Sequence, residues 1–240
     1  GVDVVISMVP EGKHSKAVDL GEQGVLKNAA PGTLLIDCST IDVGTSREIH
    51  AAAEKAGFQM LDAPVSGGVG GAEGATLTLM VGGTDEAFAL GEKILEPMAG
   101  KIFHCGPAGN GEAVKIVNNM LLAVTMIGTS EAFALGRRLG IDDQILFDVA
   151  STSSGRNWSL DTYCPVPGPV PTSPANRDYA PGFTADMMLK DLRLAKTAAI
   201  ETEAETPLGA MSEVLYSNLS NGGNGQLDFS GIFKMLNKDI

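Results

Sequence analysis

The chain has 240 residues, 44% of them hydrophobic and 19% charged, with a net charge of −12. That length holds two modest domains or one large one, and the composition is that of an ordinary soluble globular protein. The negative charge argues against a nucleic-acid partner, whose phosphates need a basic surface, and no unbroken apolar run near ~18 residues suggests a membrane span.

Residue 1 is Gly, and the strand-like run "VDVVISM" follows with almost nothing before it. That is the expectation for a chain that begins within a domain, and no signal or transit peptide can be read. Up to about residue 107, short runs rich in Val, Ile, Leu and Phe ("TLLIDCS", "FQMLD", "TLTLMV", "KIFHC") alternate with helical patterns. The helical patterns are "KAVDLGEQGVLKNA", "TSREIHAAAEKAG" and "DEAFALGEKILEPMAG". This alternation predicts a mostly parallel sheet with helices on its faces.

After Gly109 the strand signal stops. "EAVKIVNNMLLAVTMIGTSEAFALGRRLG" predicts one helix of about 28 residues, longer than is typical, and "DDQILFDVAST" a second. Residues 151–182 are Pro-rich and carry Arg156, Trp158 and Tyr163. Such a loop is either a lid, with the arginine for a carboxylate and the aromatics to exclude water, or a structural loop anchored by its aromatics. Helices resume with "TADMMLKDLRLAKTAAIETE", "PLGAMSEVLYSNLS" and "DFSGIFKML", with "NGGNGQ" as a turn-rich link.

In an open parallel sheet, ligands bind beyond the carboxyl ends of the strands. "SMVP", "DCST" and "DAPVSGG" stand at three such ends. Ser66, Gly67 and Gly68 offer a hydroxyl and bare backbone N–H groups to an anion, although Gly-Gly after a strand is more often only a turn. In "AGNGEAVKIVNNM", Lys115 and Asn119 are four apart and share a helix face. A helical lysine is usually a surface residue whose stem covers apolar neighbours. The adjacent Asn118 and Asn119 weaken a helix, so they make more sense as hydrogen-bonding groups beside the lysine. Lys190 in "MLKDL" is either structural, as a salt bridge with Asp186 or a solvated side chain, or functional.

No complete GxGxxG occurs; the pairs Gly68/Gly70, Gly109/Gly111 and Gly223/Gly225 each lack the third glycine. A Rossmann domain here would lack its first βαβ unit. Cys38, Cys105 and Cys164 form no CxxC pair, which suits a reducing compartment, and His14, His50 and His104 lack ligand spacing. No catalytic metal is expected.

Together, "DAPVSGGVGGA", "GNGEAVKIVNN" and "KDL" resemble the substrate-binding, catalytic G-x-G-x-x-x-K-x-x-x-N and cofactor-side motifs of the β-hydroxyacid dehydrogenase family. The likeness runs from residue 1 almost to residue 240. It implies an α/β Rossmann-type domain, N-terminally incomplete, over residues 1–107, and an all-α domain over 108–240 that opens on a long interdomain helix. It makes Lys115 the catalytic residue and Ser66, Gly67, Gly68 and Asn119 substrate-binding. It puts Val9, Pro10, His14, Thr40 and Lys190 at positions for NAD, with NADP not excluded. Position 14 is His where the family tends to have Asn, and Ala75 stands where a glycine is usual.

The implied reaction is NAD(P)-dependent oxidation of a short β-hydroxyacid to its semialdehyde. With neither metal nor suitable histidine, a desolvated Lys115 handles the proton. The alternatives are a sibling reductase of another short semialdehyde and a non-catalytic oligomerisation module. Expected partners are a small carboxylate substrate and further copies of the chain, as a homodimer or homotetramer through the helical domain, with neither nucleic acid nor membrane. The expected compartment is the mitochondrial matrix in a eukaryote and the cytoplasm in a bacterium. Because the phosphate-cradling fingerprint is not in these residues, the 240 residues alone are expected to bind NAD poorly and to be inactive.

Overall fold

The computed structural model describes all 240 residues, which divide into two compact units, Gly1–Val117 and Asn118–Ile240. The first is α/β. Its strands are β1 (Val4–Ser7), β2 (Leu34–Asp37), β3 (Gln59–Asp62), β4 (Val65–Ser66), β5 (Leu77–Gly82) and β6 (Ala99–Gly106). β1, β2 and β3 run parallel in sequence order, as the alternating pattern predicts. β5 then lies antiparallel to β3 and parallel to β6, so the sheet is mixed. The chain bends at Pro64, which cannot donate to a ladder, and continues as the two-residue β4 along β5.

Successive side chains of a strand point to opposite faces, and the inner strands β2, β3 and β5 are buried on both. Leu34, Ile36, Leu61, Leu79 and Val81 pack with Ala87 and Leu95 of α5 (Asp85–Leu95). Leu35 and Met60 pack on the other face with Ile49 and Ala53 of α3 (Val43–Lys55). Asp42 and Thr84 cap these two helices by accepting from backbone N–H groups in the first turn. The run expected as a single first helix is broken at Gly21 into α1 (Gly12–Leu20) and α2 (Val25–Asn28). A short α4 (Gly68–Glu73) follows β4.

The long helix is α6 (Asn110–Arg138), 29 residues, which runs from the first unit into the second. By length and composition alone it is apolar enough to cross a membrane, and 44% of its apolar window is buried within the protein. In the second unit, Ala123, Met126 and Ile127 of α6 pack against α9 (Ala185–Glu201) and α10 (Pro207–Leu219) through Met188, Leu189, Leu192, Tyr216 and Leu219. Thr184 caps α9.

The Pro-rich stretch after α7 (Asp143–Thr152) holds only α8 (Trp158–Asp161) and one 3₁₀ turn. It closes on itself through Tyr179 Oη to the Pro165 carbonyl (2.7 Å) and Asn176 Nδ2 to the Val170 carbonyl (2.8 Å). It buries Cys164, Val166 and Val170 against Phe133 and Phe233, the latter on α11 (Ile232–Asn237).

Candidate active site

In the first unit, the predicted residues stand at strand ends. Val9 and Pro10 form the loop after β1. Its conformation is set from β2: Ser39, 1% exposed, accepts from the Val9 N–H (2.8 Å) and donates its own hydroxyl to the buried Asp37 carboxylate. Ser7 Oγ donates to the same Asp37 oxygen at 3.2 Å. Thr40 follows directly at the end of β2, and His14 lies in the first turn of α1 with a buried Nδ1 that has no partner. An unmet ring nitrogen and hydroxyls at the carboxyl edge of a parallel sheet fit a nucleotide cofactor.

Ser66 ends β4, and Gly67 and Gly68 open the short turn of helix behind it. Gly67 sits at φ +139 and Gly68 at φ +61, conformations that a side chain resists, and a Cβ on Gly67 would lie 3.0 Å from Leu77 Cδ2. The glycines are therefore needed for the turn itself, while Ser66 stays half-buried with its hydroxyl beside them.

Lys115 lies in the second turn of α6 and is only 7% exposed, unlike the surface lysine of the ordinary reading. The start of α6 is held against the sheet. Asp62, at the end of β3 and 1% exposed, accepts from the Gly109 N–H (2.8 Å) and the Glu112 N–H (3.0 Å). Glu112, fully buried, accepts in turn from the Ile41 N–H at 3.2 Å. Burial, with Asp37 and Glu112 nearby, pushes the Cys38 thiol up to about 12, so it is a neutral packing residue and not a nucleophile.

In the second unit, the structure brings together Asn119 and Lys190 through a residue that motif reading passed over. Asp191, 1% exposed, accepts from Asn119 Nδ2 at 2.6 Å, and its other oxygen lies 3.3 Å from Lys190 Nζ. Asp186 accepts from Ser220 Oγ (2.6 Å) and Gln226 Nε2 (2.9 Å). Asn118 is exposed and donates to Asn119 Oδ1 (3.1 Å), so the asparagine pair is a device for fixing one amide. The signal for Asp191 was its place beside Lys190 in "KDL"; the signal for Asp62 was the first letter of "DAPVSGG".

The loop residues follow the structural alternative. Tyr163 stacks between Trp158 and Phe229, and its hydroxyl donates to the buried Asp228 at 3.0 Å. Burial and that carboxylate push the phenol well above its ordinary range. Arg156 pairs with Asp161 at 2.6 Å. No group of three or more His, Cys, Asp or Glu side chains could hold a metal ion.

Residues 1–106 match the family model for the NAD-binding domain of 6-phosphogluconate dehydrogenase. Residues 109–236 match the model for the NAD-binding region of NADP-dependent 3-hydroxyisobutyrate dehydrogenase. These matches and the fold define an NAD-dependent oxidoreductase. Within that class, the chain belongs to the β-hydroxyacid dehydrogenase family. It is 48% identical over 235 residues to an NAD-dependent L-serine dehydrogenase of Pseudomonas aeruginosa, covering 98% of this chain and 79% of that protein. It is 43% identical over 237 residues to the mitochondrial 3-hydroxyisobutyrate dehydrogenase of Mus musculus, covering 99% and 71%. A solved structure of Mycobacterium tuberculosis 3-hydroxyisobutyrate dehydrogenase with L-serine superposes with a TM-score of 0.91 at 50% identity, covering 98% and 79%.

Proposed function

We propose that this hydroxyacid dehydrogenase oxidises 3-hydroxyisobutyrate to methylmalonate semialdehyde, a step of valine breakdown, with Lys115 as general acid and base. Bound nicotinamide supplies the hydride acceptor. Lys115 takes the hydroxyl proton as the carbonyl forms and returns it in the reverse reaction. The observation that carries this reading is the near-complete burial of a lysine four residues before an amide that Asp191 and Asn118 hold in place. Asn119 then keeps the substrate oxygen in register with the lysine, and Ser66 with the Gly67 and Gly68 backbone binds the carboxylate. Val9, Pro10, His14, Thr40 and Lys190 hold the cofactor. The domain boundary of this reading falls at 107/108.

L-Serine is the second reading, favoured by the relative named for it and by the structure solved with it. The two acids share a carboxylate and a β-hydroxyl and differ at C2, methyl against ammonium. Burying an ammonium without a counter-charge is costly. None of Ser66, Gly67, Gly68 and Asn119 is acidic, which supports the methyl compound. Initial rates of the cofactor-loaded enzyme on 3-hydroxyisobutyrate and L-serine, with tartronate semialdehyde, succinic semialdehyde and glyoxylate in the reverse direction, test the assignment. A kcat/KM higher for any other compound would refute it.

The helical unit leaves Leu121, Leu135, Ile145 and Leu208 exposed, which supports self-association as a dimer or tetramer. Light scattering reads that state. The compartment follows the source: the mitochondrial matrix in a eukaryote, the cytoplasm in a bacterium.

A further inference from the structure

We propose that Asp62 is a positioning residue: its carboxylate caps α6 from the neighbouring sheet and so fixes the depth and rotation of the turn that carries Lys115. This rests on the reading of Lys115 as the proton-transfer group. The first N–H groups of a helix have no partner within it. At α3, α5 and α9 a side chain of the preceding residue supplies one. At α6, the chain enters through Gly109 (φ +79), which has no side chain to offer. The acceptor comes instead from 47 residues earlier: Asp62 Oδ1 takes the Gly109 N–H and Oδ2 takes the Glu112 N–H. Each oxygen is committed to a different point of the helix entrance, so the two bonds constrain sliding and rotation together.

Sterics make the same contact close. A Cβ on Gly111 would lie 2.7 Å from the Asp62 carbonyl oxygen and 2.8 Å from Oδ2. A Cβ on Gly82, opposite Asp62 in the β3–β5 pairing, would lie 2.6 Å from Oδ1 and 2.8 Å from the Gly111 nitrogen. The helix start and the strand end therefore meet backbone to backbone, and only glycine fits on either side. Behind the carboxylate, His50 Nε2 of α3 stands 2.9 Å from Oδ1, so the ring lies directly against the capping group. Lys115 follows Glu112 by three residues, and so sits one turn above the capped N–H on the same side of the helix. A displacement of the cap is a displacement of the lysine's attachment.

Asp62→Asn keeps the shape of the side chain but turns one acceptor into a donor facing an N–H. In the cofactor-loaded enzyme, kcat should fall about ten- to a hundred-fold, as a misplacement approaching one ångström does. The KM for the hydroxyacid and the Kd for NAD should stay within about three-fold, because Asp62 touches neither ligand's proposed groups. A merely structural role would lower the melting temperature and leave the kcat of the folded protein unchanged. A folded Asp62→Asn enzyme with kcat within about two-fold of wild type would overturn the proposal, as would equal losses in kcat, KM and Kd. Should Asp62→Asn not fold, His50→Ala leaves both cap bonds but removes the ring that stands against Oδ1. It should lower kcat by about two- to five-fold with the same split, and an unchanged kcat would overturn the proposal. Lys115→Ala, measured alongside, separates the two readings. If it is inactive while Asp62→Asn is fully active, only the positioning role fails; if it retains near-wild-type kcat, the proton-transfer role fails first.

Discussion

Replacing Asp191 by Ala should damage the use of substrate and cofactor together. The carboxylate accepts from Asn119 Nδ2 at 2.6 Å and lies 3.3 Å from Lys190 Nζ, and it is 1% exposed. A hydrogen bond to a buried charged group contributes about 1.5–3 kcal/mol. If that bond's worth is fully expressed in the transition state, its loss corresponds to about ten- to 150-fold in rate, at about 1.4 kcal/mol per decade. The lysine is about one-third exposed, so its ion pair adds little of its own. The assay is steady-state kinetics with each ligand varied at saturation of the other, alongside thermal unfolding. Both kcat/KM values should fall by about ten-fold or more, and the buried Asn119 donor left unpaired should cost about 1–3 kcal/mol of stability. A folded variant with both kcat/KM values within about three-fold of wild type would refute the claim that one carboxylate orders Asn119 and Lys190.

Asp19 of α1 is 3% exposed, and burial first, then the charge of Asp37, push its carboxyl up to about 6, with His50 opposing them. The folded state therefore binds the proton more tightly than the unfolded chain, and stability falls as pH rises from about 4 to about 6. Asp19→Asn should remove that slope and gain about 2–3 kcal/mol at pH 7, read from urea midpoints across pH; an unchanged slope would count against it. Ala75 stands at φ +51, where a Cβ costs about 1–2 kcal/mol, and glycine returns part of that as unfolded-chain entropy. Ala75→Gly should raise the melting temperature by about 1–4 °C, and a lower value would show that the turn is not strained.

The parallel half of the sheet was legible because β1, β2 and β3 are short apolar runs closed by Gly or Pro, with helical periods between them. The reversed direction of β5 was not, since Asp62 meeting Gly82 is a long-range pairing that leaves no local period. The two-residue β4 was hidden for the same reason: Val65 and Ser66 are a strand only because β5 lies beside them. The break at Gly21 was masked by apolar residues on both sides of it. In the Pro-rich loop, closure rests on side chains bonding distant carbonyls, such as Tyr179 to Pro165, so composition showed its length and not its shape. At the site, Lys115, Asn119 and Lys190 were visible as polar residues misplaced in apolar helices. Their supports were not: Asp191 reaches Asn119 across 72 residues and Asp62 reaches Glu112 across 50. A motif names the group that touches a ligand, whereas the group that holds it is found only when the chain is folded.

Lys115→Ala in the cofactor-loaded enzyme tests the central claim most directly. General acid–base catalysis contributes about 10²–10⁴-fold, so kcat for 3-hydroxyisobutyrate should fall by at least about a hundred-fold. The cooperative unfolding transition and the Kd for NAD should be retained. A kcat near the wild-type value in that variant would contradict the account, because no other residue of this chain has been given the proton.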